Sequence, residues 1–153
     1  MSFDIEEQYD KIYRYCYFKL HSRELAEDVT QETFLRYLEH YNCLTTVSAL
    51  KYLYTIARNL CVDEYRKPRT GPIDESIPDY TMEEELITNL TVRTALSKLA
   101  PDEQELLLLR YVNEVPVSAL GKIYGFSRFA IYRKIASASN KFREELRKED
   151  YHE

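Results

Sequence analysis

Helix-breaking residues are scarce in this chain, and most of them fall in one segment. The sequence has only 3 glycines and 5 prolines among 153 residues, and most of the prolines lie between Pro68 and Pro101. Glycine and proline are the least favourable residues inside a helix, whereas prolines, glycine and acidic residues together are typical of an extended linker. We therefore predict an all-α protein of two small helical domains, 1–67 and 82–153, joined by a flexible linker at 68–81.

A helix-turn-helix is predicted in the second domain, within residues 117–138. Gly125 stands where the chain must turn sharply, since glycine adopts positive φ without strain, and Ser127 can cap the helix that follows. The predicted buried positions, at helical spacing, are Leu120, Ile123 and Tyr124 before the turn, then Ile131, Ile135 and Ala138 after it. The opposite face of the second helix carries Arg128, Tyr132, Arg133 and Ser137. In such motifs this face, near the helix start, meets base edges.

Three helices are predicted over about 3–66 from apolar residues at three- and four-residue spacing. The predicted core of the first is Tyr9, Ile12, Tyr13, Cys16, Tyr17 and Leu20. The second runs from about Ser22 to His40, with Leu25, Val29, Phe34, Leu38 and Tyr41 as core. The third ends near Pro68 and carries Leu50, Leu53, Tyr54, Ile56, Ala57, Leu60, Cys61 and Tyr65. Further helices are predicted over about 82–99 and 101–113, and a basic tail helix reaches about Lys148.

The charge of the chain is unevenly distributed. Its net charge of −5 argues by itself against a nucleic-acid binder. Residues 121–148, however, carry eight Lys or Arg and two Glu, a balance of +6, and residues 51–69 carry five cations and two anions, a balance of +3. Phosphate contacts are local, and an acidic remainder lowers non-specific affinity, so two basic patches favour nucleic-acid binding. A solvated helix face is the weaker explanation for 121–148, where the patch coincides with the helix-turn-helix.

The sequence contains no constellation that indicates catalysis. Cys16, Cys43 and Cys61 show neither C-x-x-C nor metal-ligand spacing, and we interpret them as reduced thiols in or near a core. The histidines are scattered, and no Ser/His/Asp or carboxylate pair stands out. We predict no enzyme, no cofactor and no metal site. No apolar run approaches the roughly 18 residues of a membrane span, so we expect a cytoplasmic protein without membrane insertion.

Two polar groups in the first domain indicate binding surfaces. Asp28, Gln31 and Glu32 share one face of the second helix by their spacing, although an acidic cluster alone is more often a solvated face. The third helix carries cations, an amide and an aromatic ring, namely Lys51, Tyr52, Arg58, Asn59, Arg66 and Lys67. Such a helix suits single-stranded nucleic acid, because bases stack on tyrosine and cations follow the phosphates. The alternative is a tyrosine at the core edge among solubilising cations.

Together and in this order, these features resemble a sigma factor of bacterial RNA polymerase from the extracytoplasmic-function group. Segment 26–34, Ala-Glu-Asp-Val-Thr-Gln-Glu-Thr-Phe, resembles that family's core-polymerase-binding helix. Segment 53–60, Leu-Tyr-Thr-Ile-Ala-Arg-Asn-Leu, continuing to Arg66, resembles its promoter-melting helix. Segment 99–111 with the helix-turn-helix resembles its −35-reading domain. The resemblance covers nearly the whole chain.

The resemblance implies a role for each group of residues. Asp28, Gln31 and Glu32 would dock on core polymerase. The −10 element would be held by Asn42 of the loop at 41–47, where a flipped base is captured, together with Lys51, Tyr52, Arg58, Asn59, Arg66 and Lys67. The −35 element would be read by Arg128, Tyr132, Arg133, Ser137 and Lys141. The polymerase would perform the covalent chemistry, and an anti-sigma protein is a further implied partner.

The sequence also departs from the family pattern. Residues 136–140 are apolar or neutral where members often have arginines, which predicts weak −35 binding because phosphate contacts are fewer. Gly121 replaces the usual alanine of a helix-turn-helix and is expected to loosen that helix by roughly 1 kcal/mol. Two other interpretations stay open: a dimeric regulator that binds an operator through its helix-turn-helix, and a helical interaction module that binds a protein and no DNA.

Overall fold

The computed structural model describes residues 4–40, 45–67 and 90–150. Within these ranges every regular element is a helix, so the predicted all-α class is confirmed. The chain divides into two compact units, Met1–Asp79 and Tyr80–Glu153. The predicted linker at 68–81 lies outside the described residues, and the proposed domain limits stay predictions.

The first unit contains α1 (Ile5–Leu20), α2 (Arg23–His40) and α3 (Thr46–Arg66), the three helices that the periodicity predicts. Asp4 begins α1 as its N-cap, because its carboxylate accepts the amides of Glu6 and Glu7 at 3.0 and 3.3 Å. The helix ends at His21, which has a left-handed φ of 53°. That cap reverses the chain into α2 after a single further residue.

The core of the first unit lies where the three helices pack against each other. Ile12 and Leu53 are fully buried there, 0% exposed. The rings of Tyr15 and Tyr54 meet edge to face with their centroids 5.6 Å apart, a favoured aromatic geometry. Cys16 and Cys61 are buried thiols that form no disulfide, as the sequence predicts.

Two residues predicted in this core are on the surface instead. Leu38 is 63% exposed, and Tyr65 is 60% exposed with its hydroxyl donating to the Lys19 carbonyl oxygen. The buried stripe of α2 includes Thr30 and Thr33, both 0% exposed, whose hydroxyls donate to carbonyl oxygens four residues earlier at 2.6 and 2.7 Å. Because the helix itself satisfies these polar groups, threonine occupies the interior and displaces the leucine stripe outward. Tyr41 lies outside the described residues.

The second unit contains α4 (Leu90–Ser97), α5 (Pro101–Leu107), α6 (Val117–Tyr124) and α7 (Arg128–Asp150). Proline begins α5 as predicted, and the chain continues from α5 as one π-helical turn, Leu108–Val112. One hydrophobic cluster in this unit joins buried Leu99, Leu107 and Ala138 with the partly buried Leu96 and Phe142. The predicted recognition helix and the predicted basic tail form the single helix α7.

The turn between α6 and α7 has the predicted chemistry. Gly125 adopts φ 74°, and its amide and that of Phe126 both donate to the Gly121 carbonyl, at 2.8 and 2.9 Å. Ser127 caps α7 by accepting the Ala130 amide at 3.1 Å. A Cβ added to Gly121 would lie 2.8 Å from the Phe126 carbonyl oxygen. Glycine at position 121 therefore lets the backbone of Phe126 come close to α6. The sequence analysis expected Gly121 only to loosen this helix and did not predict the close contact.

Candidate nucleic-acid and protein interfaces

The three residues predicted to bind a protein share the solvent side of α2. Asp28 and Gln31 are exposed. Glu32 is half-buried, and its carboxylate accepts a hydrogen bond from Arg36 Nε at 2.9 Å, an ion pair between successive helical turns. The structure therefore brings the three side chains together on one face, opposite the buried threonines.

Sequence reasoning missed two apolar residues on this same face. Leu35 is 55% exposed and Leu38 is 63% exposed. Leu35 follows Gln31 by four residues and Glu32 by three, so it lies among the polar side chains rather than beside them. Helical spacing also places Leu38 on this face, but the sequence analysis assigned Leu38 to the core. We call Asp28, Gln31, Glu32, Leu35 and Leu38 the α2 outer face.

An apolar centre with a polar surround is typical of a protein-binding surface. Scattered exposed leucines need no explanation, but here two lie one turn apart within a polar group. The α2 outer face therefore has the composition of a docking site for a partner rather than that of a solvated acidic face.

The residues predicted to hold single-stranded DNA lie mainly on one face of α3. Lys51, Tyr52 and Arg58 are half-buried, and Asn59 and Arg66 are exposed. Lys51 and Arg58, Tyr52 and Asn59, and Asn59 and Arg66 are each seven residues apart, which is about two helical turns and places them on the side opposite the core residues of α3. Asn42, predicted beside them, lies outside the described residues.

Two details define the charge of this α3 face. The Lys51 ammonium lies 5.4 Å from the centroid of the Tyr52 ring, within the range of a cation–π contact. Lys67 follows the helix end, and its ammonium donates to Glu64 at 2.9 Å, a contact that raises the pKa of Lys67. Lys67 is therefore partly neutralised by its own neighbour, whereas Lys51 remains beside an aromatic ring on which a base could stack.

The α2 outer face and the α3 face meet across an open groove of about 520 Å³. Its lining residues come from both helices and are Glu32, Arg36, Glu39, His40, Ile56 and Asn59. A protein docked on α2 and a DNA strand lying along α3 would therefore be close neighbours. This proximity suits a factor that brings nucleic acid to another protein.

The start of α7 presents the predicted recognition residues to solvent. Arg128, Tyr132, Arg133 and Ser137 are all exposed, while Ile131 between them is 0% exposed and anchors the helix. The free amides at the N-terminus of α7 and its helix dipole add a further preference for anions there. These features together form a surface suited to duplex DNA.

The cations of α7 fall into two groups. Toward its end, Lys141 binds Glu103 at 2.8 Å, Arg147 binds Glu144 at 3.5 Å and Lys148 binds Glu145 at 3.4 Å. Near its start, Arg128 and Arg133 make no ion pair with any residue in the described ranges. The basic patch predicted over 121–148 is therefore concentrated at the beginning of the helix, where phosphates would be bound.

Lys141 is the predicted −35 residue whose surroundings differ most from the expectation. Its ammonium is held by Glu103, which also accepts the Ala100 amide at 3.1 Å at the start of α5. The hydrogen bond from Lys141 is the main cause that lowers the pKa of Glu103. This ion pair links α5 to α7 and leaves less of the Lys141 charge for a phosphate.

Sequence reasoning also missed the exposed aromatic residues around the start of α7. Phe129 is 74% exposed and Phe126 is 45% exposed, beside Tyr132 at 51%. The Lys134 ammonium lies 4.5 Å from the centroid of the Phe126 ring. The signal for Phe129 was present, because a residue two positions before buried Ile131 must lie on the opposite side of the helix.

The described part of the chain contains no cluster of three or more His, Cys, Asp or Glu that could hold a metal ion. None of its helices combines the length and the apolar character that crossing a bilayer requires.

The chain is similar in sequence to known sigma factors. The family model described as sigma-70 region 2 matches residues 5–70, which include α1 to α3. The ECF RNA polymerase sigma factor BldN of Streptomyces coelicolor is 31% identical over 140 residues, 82% of this chain and 52% of BldN. This chain thus spans about half the length of BldN. The ECF sigma factor SigW of Bacillus subtilis is 25% identical, over 94% of this chain and 88% of SigW.

A solved structure shares the fold. The sigma factor RpoE of Bartonella quintana, crystallised in complex with the anti-sigma factor NepR, matches with a TM-score of 0.61 over 91% of both chains. At 16% sequence identity this match shows similarity of fold alone.

Proposed function

Because this chain belongs to the extracytoplasmic-function group of bacterial RNA polymerase sigma factors, we propose that it binds core polymerase and directs it to promoters. One observation carries the proposal most directly. The three-helix unit that matches sigma-70 region 2 carries exposed leucines among polar side chains on α2, beside a basic, aromatic surface on α3.

The α2 outer face is the proposed site for core polymerase. Leu35 and Leu38 supply apolar area at its centre, and Asp28 and Gln31 can accept and donate hydrogen bonds around them. In such surfaces a few buried anchors provide most of the binding free energy, and the polar surround excludes water. The leucines are therefore expected to determine the affinity for core polymerase, whereas the polar residues determine the orientation in which it docks.

The α3 face is the proposed site for the non-template strand at the −10 element. Tyr52 offers a ring for base stacking, and Lys51, Arg58 and Arg66 can follow the phosphates. Capturing an unstacked base offsets part of the cost of melting, which is a few kcal/mol per base in comparable systems. The α3 face thus stabilises open DNA without any covalent step of its own.

The start of α7 is the proposed reader of the −35 element as duplex DNA. Arg128 and Arg133 are available for phosphates or base edges, and the capped helix N-terminus adds donors. Few free cations remain further along α7. Binding by this helix alone is therefore expected to be weak, so stable promoter binding requires core polymerase.

Within this proposal the polymerase performs the chemistry in the cytoplasm, and the chain selects where transcription begins. The structural neighbour RpoE was crystallised with an anti-sigma factor. We include such a protein as a proposed regulator of this chain. It would act by covering a surface that polymerase or DNA needs.

The proposal is tested by run-off transcription with the cognate core polymerase and genomic promoter fragments, including the region upstream of the chain's own gene. We expect initiation at discrete sites, and its loss when Asp28→Ala is combined with Gln31→Ala. Asp10→Ala is the matched control, because it removes a carboxylate from an exposed position on α1.

The other outcomes identify the alternatives. Tight, salt-dependent duplex binding without initiation would establish an operator-binding regulator. Failure of both activities would leave a protein-interaction module. Equal loss of transcription in Asp10→Ala and in the double variant would contradict the assignment of the α2 outer face.

A further inference from the structure

Phe129 has no evident role in the fold. It is 74% exposed, the highest exposure among the large hydrophobic residues of the described ranges. It is the second residue of α7, and it lies on the side opposite buried Ile131. Tyr132, 51% exposed, follows three residues later and extends the same apolar strip along the helix. An exposed phenylalanine beside a second aromatic residue is typical of a contact surface.

The surroundings of this strip favour DNA over a protein as the occupant. Arg128 and Arg133 flank Phe129 and Tyr132 on α7, and neither pairs with a carboxylate of the described residues. The matching surface must therefore be apolar where it meets the rings and anionic at its edges. The major groove of a thymine-containing site offers both, because phosphates border the C5-methyl group of thymine.

We propose that Phe129, supported by Tyr132, contacts thymine C5-methyl groups in the −35 element and makes thymine a preferred base there. This inference rests on the proposed function, and it adds the base that the helix selects. Phenylalanine has no hydrogen-bonding group, so among the major-groove features of the four bases it can recognise only that methyl group. The arginines then fix the position of the helix through phosphates.

The test uses deoxyuridine, which lacks only the methyl group of thymidine. Wild-type holoenzyme first selects −35 sequences from a randomised duplex library, and each selected thymine is then replaced singly by deoxyuridine. We expect at least one replacement to weaken binding about fourfold, the value for one buried methyl group. In Phe129→Ala holoenzyme the same replacement should have no effect.

Two variants serve as references. Tyr111→Ala removes an aromatic residue that is 61% exposed and lies outside α7, and it should keep the full sensitivity to deoxyuridine. Phe129→Leu should keep part of the sensitivity, because leucine is apolar but smaller. Measurements at low salt keep all variants bound through phosphate contacts.

A selected motif without thymine would overturn the inference, as would an equal deoxyuridine effect in wild type and Phe129→Ala. Weaker binding of Phe129→Ala to core polymerase, with unchanged deoxyuridine sensitivity, would assign the strip to a protein contact and also overturn it. Failure of the proposed function is distinguishable, because wild-type holoenzyme would then enrich no −35 sequence. The inference is supported only if a −35 motif is selected and if the loss of binding on removing a thymine methyl group requires Phe129.

Discussion

Replacing Gly121 by alanine should destabilise the helix-turn-helix, although helix propensity alone predicts the opposite. Alanine inside a helix is favoured over glycine by about 1 kcal/mol. The added Cβ, however, would lie 2.8 Å from the Phe126 carbonyl oxygen, closer than the 3.0 Å that real Cβ atoms respect. The obstacle is backbone, and that backbone is fixed by the hydrogen bonds from Gly125 and Phe126 to the Gly121 carbonyl.

The magnitude follows from these opposing contributions. Overpacking of this kind costs about 1–3 kcal/mol, and moving the turn also strains two hydrogen bonds worth about 1 kcal/mol each. Subtracting the propensity gain leaves a net destabilisation of about 1 kcal/mol or more. In a unit of this size, 1 kcal/mol lowers the Tm by about 4–8 °C.

Amide hydrogen exchange in α6 and α7 is the appropriate assay, because it reports the unfolding free energy of this unit separately from that of α1 to α3. Gly125→Ala is an informative comparison. A Cβ added to Gly125 would meet nothing within 4 Å. Gly125→Ala should therefore lower the unfolding free energy only because alanine is strained at the left-handed φ of 74°, by about 1–2 kcal/mol. An increase of about 1 kcal/mol in the unfolding free energy of Gly121→Ala would refute the reasoning, since propensity would then outweigh the contact.

Three further predictions concern caps, charge and the two leucine environments. Ser127→Ala should lower the unfolding free energy of the second unit by about 1 kcal/mol through loss of the α7 cap, measured by urea unfolding. The pKa of Glu103 is lowered in the fold, so its carboxylate stabilises the folded state at neutral pH. That contribution is lost as the pH falls below the ordinary glutamate pKa and through the lowered pKa of Glu103. Glu103→Gln should therefore make the Tm less sensitive to acid, measured by thermal unfolding at a series of pH values. Leu53→Ala should cost about 2–5 kcal/mol in unfolding free energy, whereas Leu38→Ala should change it by less than about 0.5 kcal/mol and weaken core-polymerase binding in a titration.

Much of the candidate site could be predicted from residue spacing. The separations of Asp28, Gln31 and Glu32 placed them on one face of α2, whereas Lys51, Tyr52 and Arg58 on α3 were predicted from their residue types. Such predictions succeed because the α-helical period is fixed by backbone geometry and needs no knowledge of the neighbouring helices. They cannot show whether a charge is already paired, and this is why Lys141 was assigned to DNA although it binds Glu103.

The sequence by itself determined which segments are helical and how they begin and end. Asp4, Ser127 and Gly125 act locally, through hydrogen bonds within a few residues or through their own φ, so their effects can be derived without the fold. The scarcity of glycine and proline elsewhere fixed the all-α class in the same way.

The tertiary structure alone decided which stripe of each helix is buried. In α2 it placed Thr30 and Thr33 inside and left Leu35 and Leu38 outside, because the hydroxyls are satisfied within their own helix while neighbouring helices contact only one side. It also brought Glu103 of α5 against Lys141 of α7. These outcomes depend on contacts between elements, and packing against a specific neighbour is not encoded in the period of any single helix.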